Sequence, residues 1–161
     1  MHLLSLFIGL GAPAQTQVNS DGSVISKVLV EAPVDEVRAA LSSPEAIERI
    51  AGEDALVSQE REGSCWLVER YQAHPLLSVR FVTRACPSAD GMVETLVHSD
   101  EMDQFQARWR FTETEGGTAI TYQVRTSLKI PAPQGLVRRE SVKQCTAMLE
   151  NMRDRLENPL R

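Results

Sequence analysis

The sequence predicts an α+β domain. A curved antiparallel sheet of about seven strands carries two short helices after its first strand and is closed by one long C-terminal helix. Three observations predict this. Phe105, Ala107, Trp109 and Phe111 alternate with Gln106, Arg108, Arg110 and Thr112. Ile120, Tyr122, Val124, Thr126 and Leu128 repeat the alternation after Gly116-Gly117. Period two with one apolar face marks a half-buried strand, and paired glycines between two such runs signal a hairpin. Beyond Pro131 and Pro133, the residues Val142, Cys145, Leu149, Met152 and Leu156 recur at helical spacing.

The remaining elements follow in chain order. Leu3, Leu4, Leu6, Phe7, Ile8 and Leu10 form a short apolar run ahead of Ala12-Pro13-Ala14. The pattern matches the h-region and cleavage site of a secretory signal peptide over residues 1–14, with cleavage after Ala14. No Lys or Arg precedes the run, so an uncleaved apolar tail is the alternative. Polar residues 15–23 read as a disordered linker, and 24–157 as one domain. Val24 to Ala32 alternates as a first strand. Pro33 and the Val34, Val37, Leu41 spacing start a short helix. Ser43 as N-cap, Pro44 at N1 and Gly52 as terminator bound a second. Extended segments then run to Lys129.

Turn signals set the expected registers. Asp90-Gly91 places Ala85 opposite Leu96 and Thr83 opposite His98. Gly116-Gly117 places Phe111 opposite Tyr122 and Trp109 opposite Val124. A turn at Pro75-Leu76 places Arg70 opposite Phe81 and Trp66 opposite Ala85. The same turn sets Cys65 opposite Cys86, a candidate cross-strand disulfide in an oxidising compartment.

These registers turn Trp66, Arg70, Phe81, Thr83, Glu94, Leu96, His98, Trp109, Phe111 and Tyr122 toward the helix. Arg70, Glu94 and His98 stand out, because a buried charge is costly unless paired; they can pair with one another or bind a ligand's polar head. Arg70 and His98 are candidate anchors for a ligand oxygen, with Glu94 orienting them. Glu94 and His98 are the candidate catalytic bases if the domain is an enzyme. A register displaced by one residue would instead turn Val93, Thr95 and Val97 inward and leave the polar groups in water. Val142, Leu149 and Met152 supply the helix wall of the ligand site. Met and Cys on that face are soft filler that adapts to variable contents.

Composition narrows the class. The chain has 161 residues, enough for one domain with its own core. It is 42% hydrophobic and 24% charged, as folded domains are. A net charge of −5 gives no electrostatic footprint for nucleic acid. The apolar run is too short to span a bilayer, so no stable membrane insertion of the mature chain is expected. Three cysteines without a CxxC pair and three histidines write no metal site, and no cofactor is implied.

The opening Lys27-Val-Leu-Val-Glu-Ala-Pro-Val-Asp-Glu-Val37 resembles the entry to the START-like, or SRPBCC helix-grip, superfamily. Trp109-Arg-Phe, Glu115-Gly-Gly-Thr118 and Thr121-Tyr-Gln-Val124 resemble its penultimate hairpin. Within it the pattern is most similar to the polyketide cyclase/dehydrase and coenzyme-Q-binding branch. The resemblance spans roughly residues 24–157. It implies a hydrophobic small molecule, such as a lipid or isoprenoid quinone, held between sheet and terminal helix by a carrier or sensor. A cyclase/dehydratase acting on a carbonyl compound is the alternative, and a protein-interaction module on the same scaffold the second. With a signal peptide the expected location is periplasmic, and without one cytoplasmic. Oligomeric state is not written in the sequence.

Overall fold

The computed structural model describes residues 11–75 and 77–159. The elements are β1 (Gln15–Val18), β2 (Val24–Val30), α1 (Val34–Ala40), α2 (Pro44–Ala51), β3 (Leu56–Glu62) and β4 (Cys65–Gln72). They continue as β5 (Val79–Ser88), β6 (Gly91–Ser99), β7 (Met102–Thr114), β8 (Gly117–Leu128) and α3 (Gln134–Glu157). Among the described residues one antiparallel sheet has eight strands, in the order β1-β2-β8-β7-β6-β5-β4-β3. The helices lie on one face. The result is an α+β helix-grip fold with the two short helices and the long terminal helix where they were expected.

The eighth strand comes from the segment read as a linker. Gln15–Val18 pairs with Val24–Lys27 through a turn in which Asp21 accepts from the Ser23 amide at 2.9 Å. The segment is polar, and hydroxyl contacts replace apolar burial. Thr16 Oγ1 lies 2.7 Å from Ser26 Oγ and 2.6 Å from Thr146 Oγ1 on α3. Ala14, the last residue before the expected cleavage point, is buried in the main core. The Ala12 carbonyl accepts from Arg153 on α3. The apolar run at 3–10 lies outside the described residues.

The caps follow the sequence signals. Ser43 Oγ accepts from the Ala46 amide at 3.1 Å, Pro44 opens α2, and Gly52 closes it at φ 76°. The hairpin glycines act differently from expectation. The loop residues are Ala89-Asp90 and Glu115-Gly116, with Ser88 paired to Gly91 and Thr114 to Gly117. A Cβ on Gly91 would sit 2.0 Å from the Trp109 carbonyl oxygen, so the residue is needed for close strand approach. Both registers therefore move by two residues, giving Ala85↔Glu94 and Trp109↔Tyr122, which preserves the faces. The β4–β5 register is as expected, with Arg70↔Phe81 and Trp66↔Ala85.

The core centres on Val28, Val30, Val37, Leu41, Trp109, Phe111, Ile120, Leu149 and Met152. All the buried residues of α3 lie from its midpoint onward: Cys145, Met148, Leu149 and Met152. Trp109, Phe111, Leu149 and Met152, expected to line a ligand space, are core residues that fill this end of the grip. The first half of α3, residues 134–144, has no buried residue.

A polar-floored groove as the candidate functional site

Burial along the helix-facing side of the sheet is uneven. On the inner face, Ile120 is fully buried, Tyr122 and Val124 are half-buried, and Thr126 is exposed. Phe105 on β7, Val79 on β5, and Val137 and Val142 on α3 are also half-buried. These helix-facing residues remain accessible and mark the candidate site between the sheet and the first half of α3. Two contacts tie α3 to the elements opposite it. Glu140 on α3 meets His74 of the β4–β5 loop at 3.9 Å, and Gln144 stands beside Glu53 after α2. The two best-formed hollows lie elsewhere. One, of about 600 Å³, is lined by α1, the end of α2 and the end of α3. The other, of about 240 Å³, is lined by Arg38, Leu41, Pro87, Met92 and Phe111.

Arg70 is the centre of a buried polar cluster. Its Nη1 and Nη2 donate to Glu94 Oε2 and Oε1 at 2.7 and 2.9 Å, a bidentate pair. Its Nε donates to Glu48 Oε1 at 3.0 Å and its Nη1 to Thr83 Oγ1 at 3.1 Å. Thr83 in turn donates to Glu94 Oε2 at 3.1 Å. Arg70 is therefore engaged within the protein: of the two expected outcomes it takes the pairing with Glu94 and is not a free anchor. Glu48 Oε2 is buried and has no partner. Burial raises the Glu48 carboxyl above its usual range, and Arg70 only partly offsets this. Burial opposes the charge on Arg70, yet Glu94 and then Glu48 outweigh it and hold the guanidinium protonated.

Three further groups complete the wall. Tyr122 packs on Trp109 with ring centroids 4.2 Å apart. Burial first, then Cys145 and Glu94, push its phenol well above the ordinary value. Burial pushes the Cys145 thiol up to about 12. Burial likewise raises the Glu53 carboxyl.

The raised carboxyl of Glu53 makes a signed prediction. A folded-state value above the unfolded one means that the native state holds its proton longer, so stability falls as pH rises through that window. Glu53→Gln should raise the melting temperature at pH 7 and change it little near pH 4. Thermal unfolding at the two pH values checks this.

The structure separates the remaining expected residues. Phe81 is buried against Phe105 at 5.1 Å, and Trp66 and Leu96 are half-buried. His98 is misplaced in the sequence reading. The pairing steps from Thr83↔Leu96 to Val82↔His98, leaving Val97 as an extra residue. This bulge reverses the faces beyond Leu96. Glu94 stays inside, while the His98 side chain is 71% exposed near Asp100. His98 is thus neither an anchor nor a base in the groove. Glu48 and Glu53 were missed. Glu48 was legible on the stripe Pro44, Glu48, Ala51, whose spacing of four and three is that of one helix face.

Cys65 and Cys86 are joined by a disulfide across β4 and β5, with Cα atoms 4.3 Å apart, and Cys145 is free and buried. Among the described residues no helix is long and apolar enough to cross a membrane.

The architecture is that of START-like helix-grip proteins. A START superfamily protein from Mycobacterium smegmatis superposes with a TM-score of 0.68 at 16% identity, over 85% of this chain and 98% of that one. The Zhui aromatase/cyclase from a Streptomyces species gives 0.67 at 14%, over 86% and 95%. A STAR-related lipid transfer protein from Xanthomonas axonopodis gives 0.65 at 16%, over 89% and 92%. At such identities the likeness establishes the fold. No family model matches the sequence, and no curated protein matches it either.

Proposed function

We propose that the protein binds a hydrophobic small molecule, of the lipid or isoprenoid class, in the groove under the first half of α3. The observation that carries this is the gradient of burial along one inner face, from fully buried Ile120 to exposed Thr126. Half-buried Phe105, Val124, Val137 and Val142 offer apolar walls, and the Arg70 cluster offers a polar end. The fold is shared with proteins described as lipid-transfer and aromatase/cyclase proteins, which supports the reading. The carrier or sensor role operates outside the cytoplasm, a reading supported by the Cys65–Cys86 disulfide.

A cyclase/dehydratase-type enzyme is the second reading. Glu94 is held by Arg70 and His98 faces water, so Glu48, with one free oxygen, is the base that reading would use. Native mass spectrometry of protein purified gently from its own host, followed by lipid extraction, tests binding. Recovery of one apolar molecule per chain is expected. Protein that arrives without any bound small molecule, and takes none up from a host lipid extract, contradicts the proposal.

A further inference from the structure

The amino-terminal segment is built into the domain, and its course leads to the larger hollow. Ala14 is buried in the main core, and the Ala12 carbonyl accepts from Arg153 on α3. Thr16 meets Thr146, two turns earlier on the same helix. From Thr16 back to Ala12 the chain therefore runs along α3 toward the C-terminal end of that helix. It runs along β2 as well. The pairs from Val18↔Val24 to Gln15↔Lys27 advance one residue at each step, and the same register continued brings position 10 level with Ala32. Ala32, just beyond β2, and Leu156, one turn past Arg153, both line the hollow of about 600 Å³. Its walls are apolar, with Val37 buried and Ala32, Ala40, Ile50 and Leu156 half-buried. Arg155 closes one side by donating to the Arg49 and Ile50 carbonyls at the end of α2. Upstream of Gly11 stand Leu3, Leu4, Leu6, Phe7, Ile8 and Leu10, with no charged residue among them. Eight extended residues reach about 28 Å, enough to cross such a hollow.

We propose that residues 3–10 stay on the folded protein and seat their apolar side chains in the hollow between α1, the end of α2 and the end of α3. The run is then a plug supplied by the chain itself. Attachment through Gly11 to the anchored residues 12–16 gives it a high effective concentration at the hollow, so a short segment suffices. Burial of its leucines and Phe7 against Val37, Ile50 and Leu156 is the driving force. Cleavage after Ala14 would remove a core residue together with this cover. The location read from the Cys65–Cys86 bridge does not depend on that cut.

Intact mass and hydrogen exchange test this. Protein purified from its own host should have the mass of a chain that retains residues 3–10, and a mass lacking residues 1–14 overturns the proposal. Removing residues 1–10 should speed exchange roughly tenfold at 34–40 and 153–158 and leave 122–128 and 134–144 unchanged. The full chain carrying Phe7→Asn and Ile8→Asn should show the same change in the same places, and it serves where the shortened chain does not fold. Equal exchange at 34–40 and 153–158 in every folded protein compared overturns the proposal. A change confined to 122–128 and 134–144 would put the run under the first half of α3 instead and overturns it too. Protection at the hollow that rises with protein concentration would assign the cover to a second copy, with the same consequence.

Discussion

Arg70→Met is expected to destabilise the protein by roughly 3–5 kcal/mol at pH 7. The arginine satisfies both oxygens of Glu94 and one of Glu48, and the two side chains are 4% and 11% exposed. Its loss strands two carboxylates where water reaches poorly. The remedy available to the protein is protonation. Stranded carboxyls have folded-state values above their unfolded ones, so the variant loses stability as pH rises through the interval between them. The deficit relative to the parent should therefore be largest at neutral pH and shrink toward pH 4. Glu94→Gln added to Arg70→Met should recover part of the loss, because it removes one of the stranded charges. Urea unfolding of the three proteins across pH checks this. A single-variant cost below about 1 kcal/mol would show that the cluster is wetter than its burial implies.

Replacing both Cys65 and Cys86 by serine is expected to cost about 3 kcal/mol, from the loop-closure entropy of a crosslink with a sequence separation of 21. The bridge staples β4 to β5 at the end away from the His74 loop, so it holds the wall that carries Arg70, Thr83 and Trp66. Reductant should shift the unfolding midpoint of the parent toward that of the double variant and leave the variant unmoved. Thiol counting provides the stoichiometry. Unfolded but unreduced protein should show the one thiol of Cys145, and reduced protein three. Three thiols in protein purified without reductant would contradict the bridge.

The architecture was legible because its signals are local. Alternation from Phe105 to Phe111 needs only a sheet with one buried face, and Ser43-Pro44 with Gly52 needs only helix ends. The faces of β5, β7 and β8 survived a misplaced turn, because both glycine hairpins slipped by an even number of residues. Position 98 did not survive, because one extra residue at Val97 reverses a face and no glycine or proline marks it. Strand β1 was hidden for another reason. Its partners are hydroxyls on β2 and α3, brought together only in the folded chain, and no periodicity records them. Arg70 and Glu94 were legible as inward charges able to pair with each other, yet Glu48 was not read as their third partner, since it arrives from a helix rather than a strand.

The central claim is an accessible apolar groove under residues 134–144 of α3. Hydrogen exchange with and without saturating Nile red tests it most directly. The account predicts new protection in 122–128 and 134–144, and little change at 32–40 and 153–158 around the 600 Å³ hollow. Protection confined to that hollow, or none in the first half of α3, would contradict it.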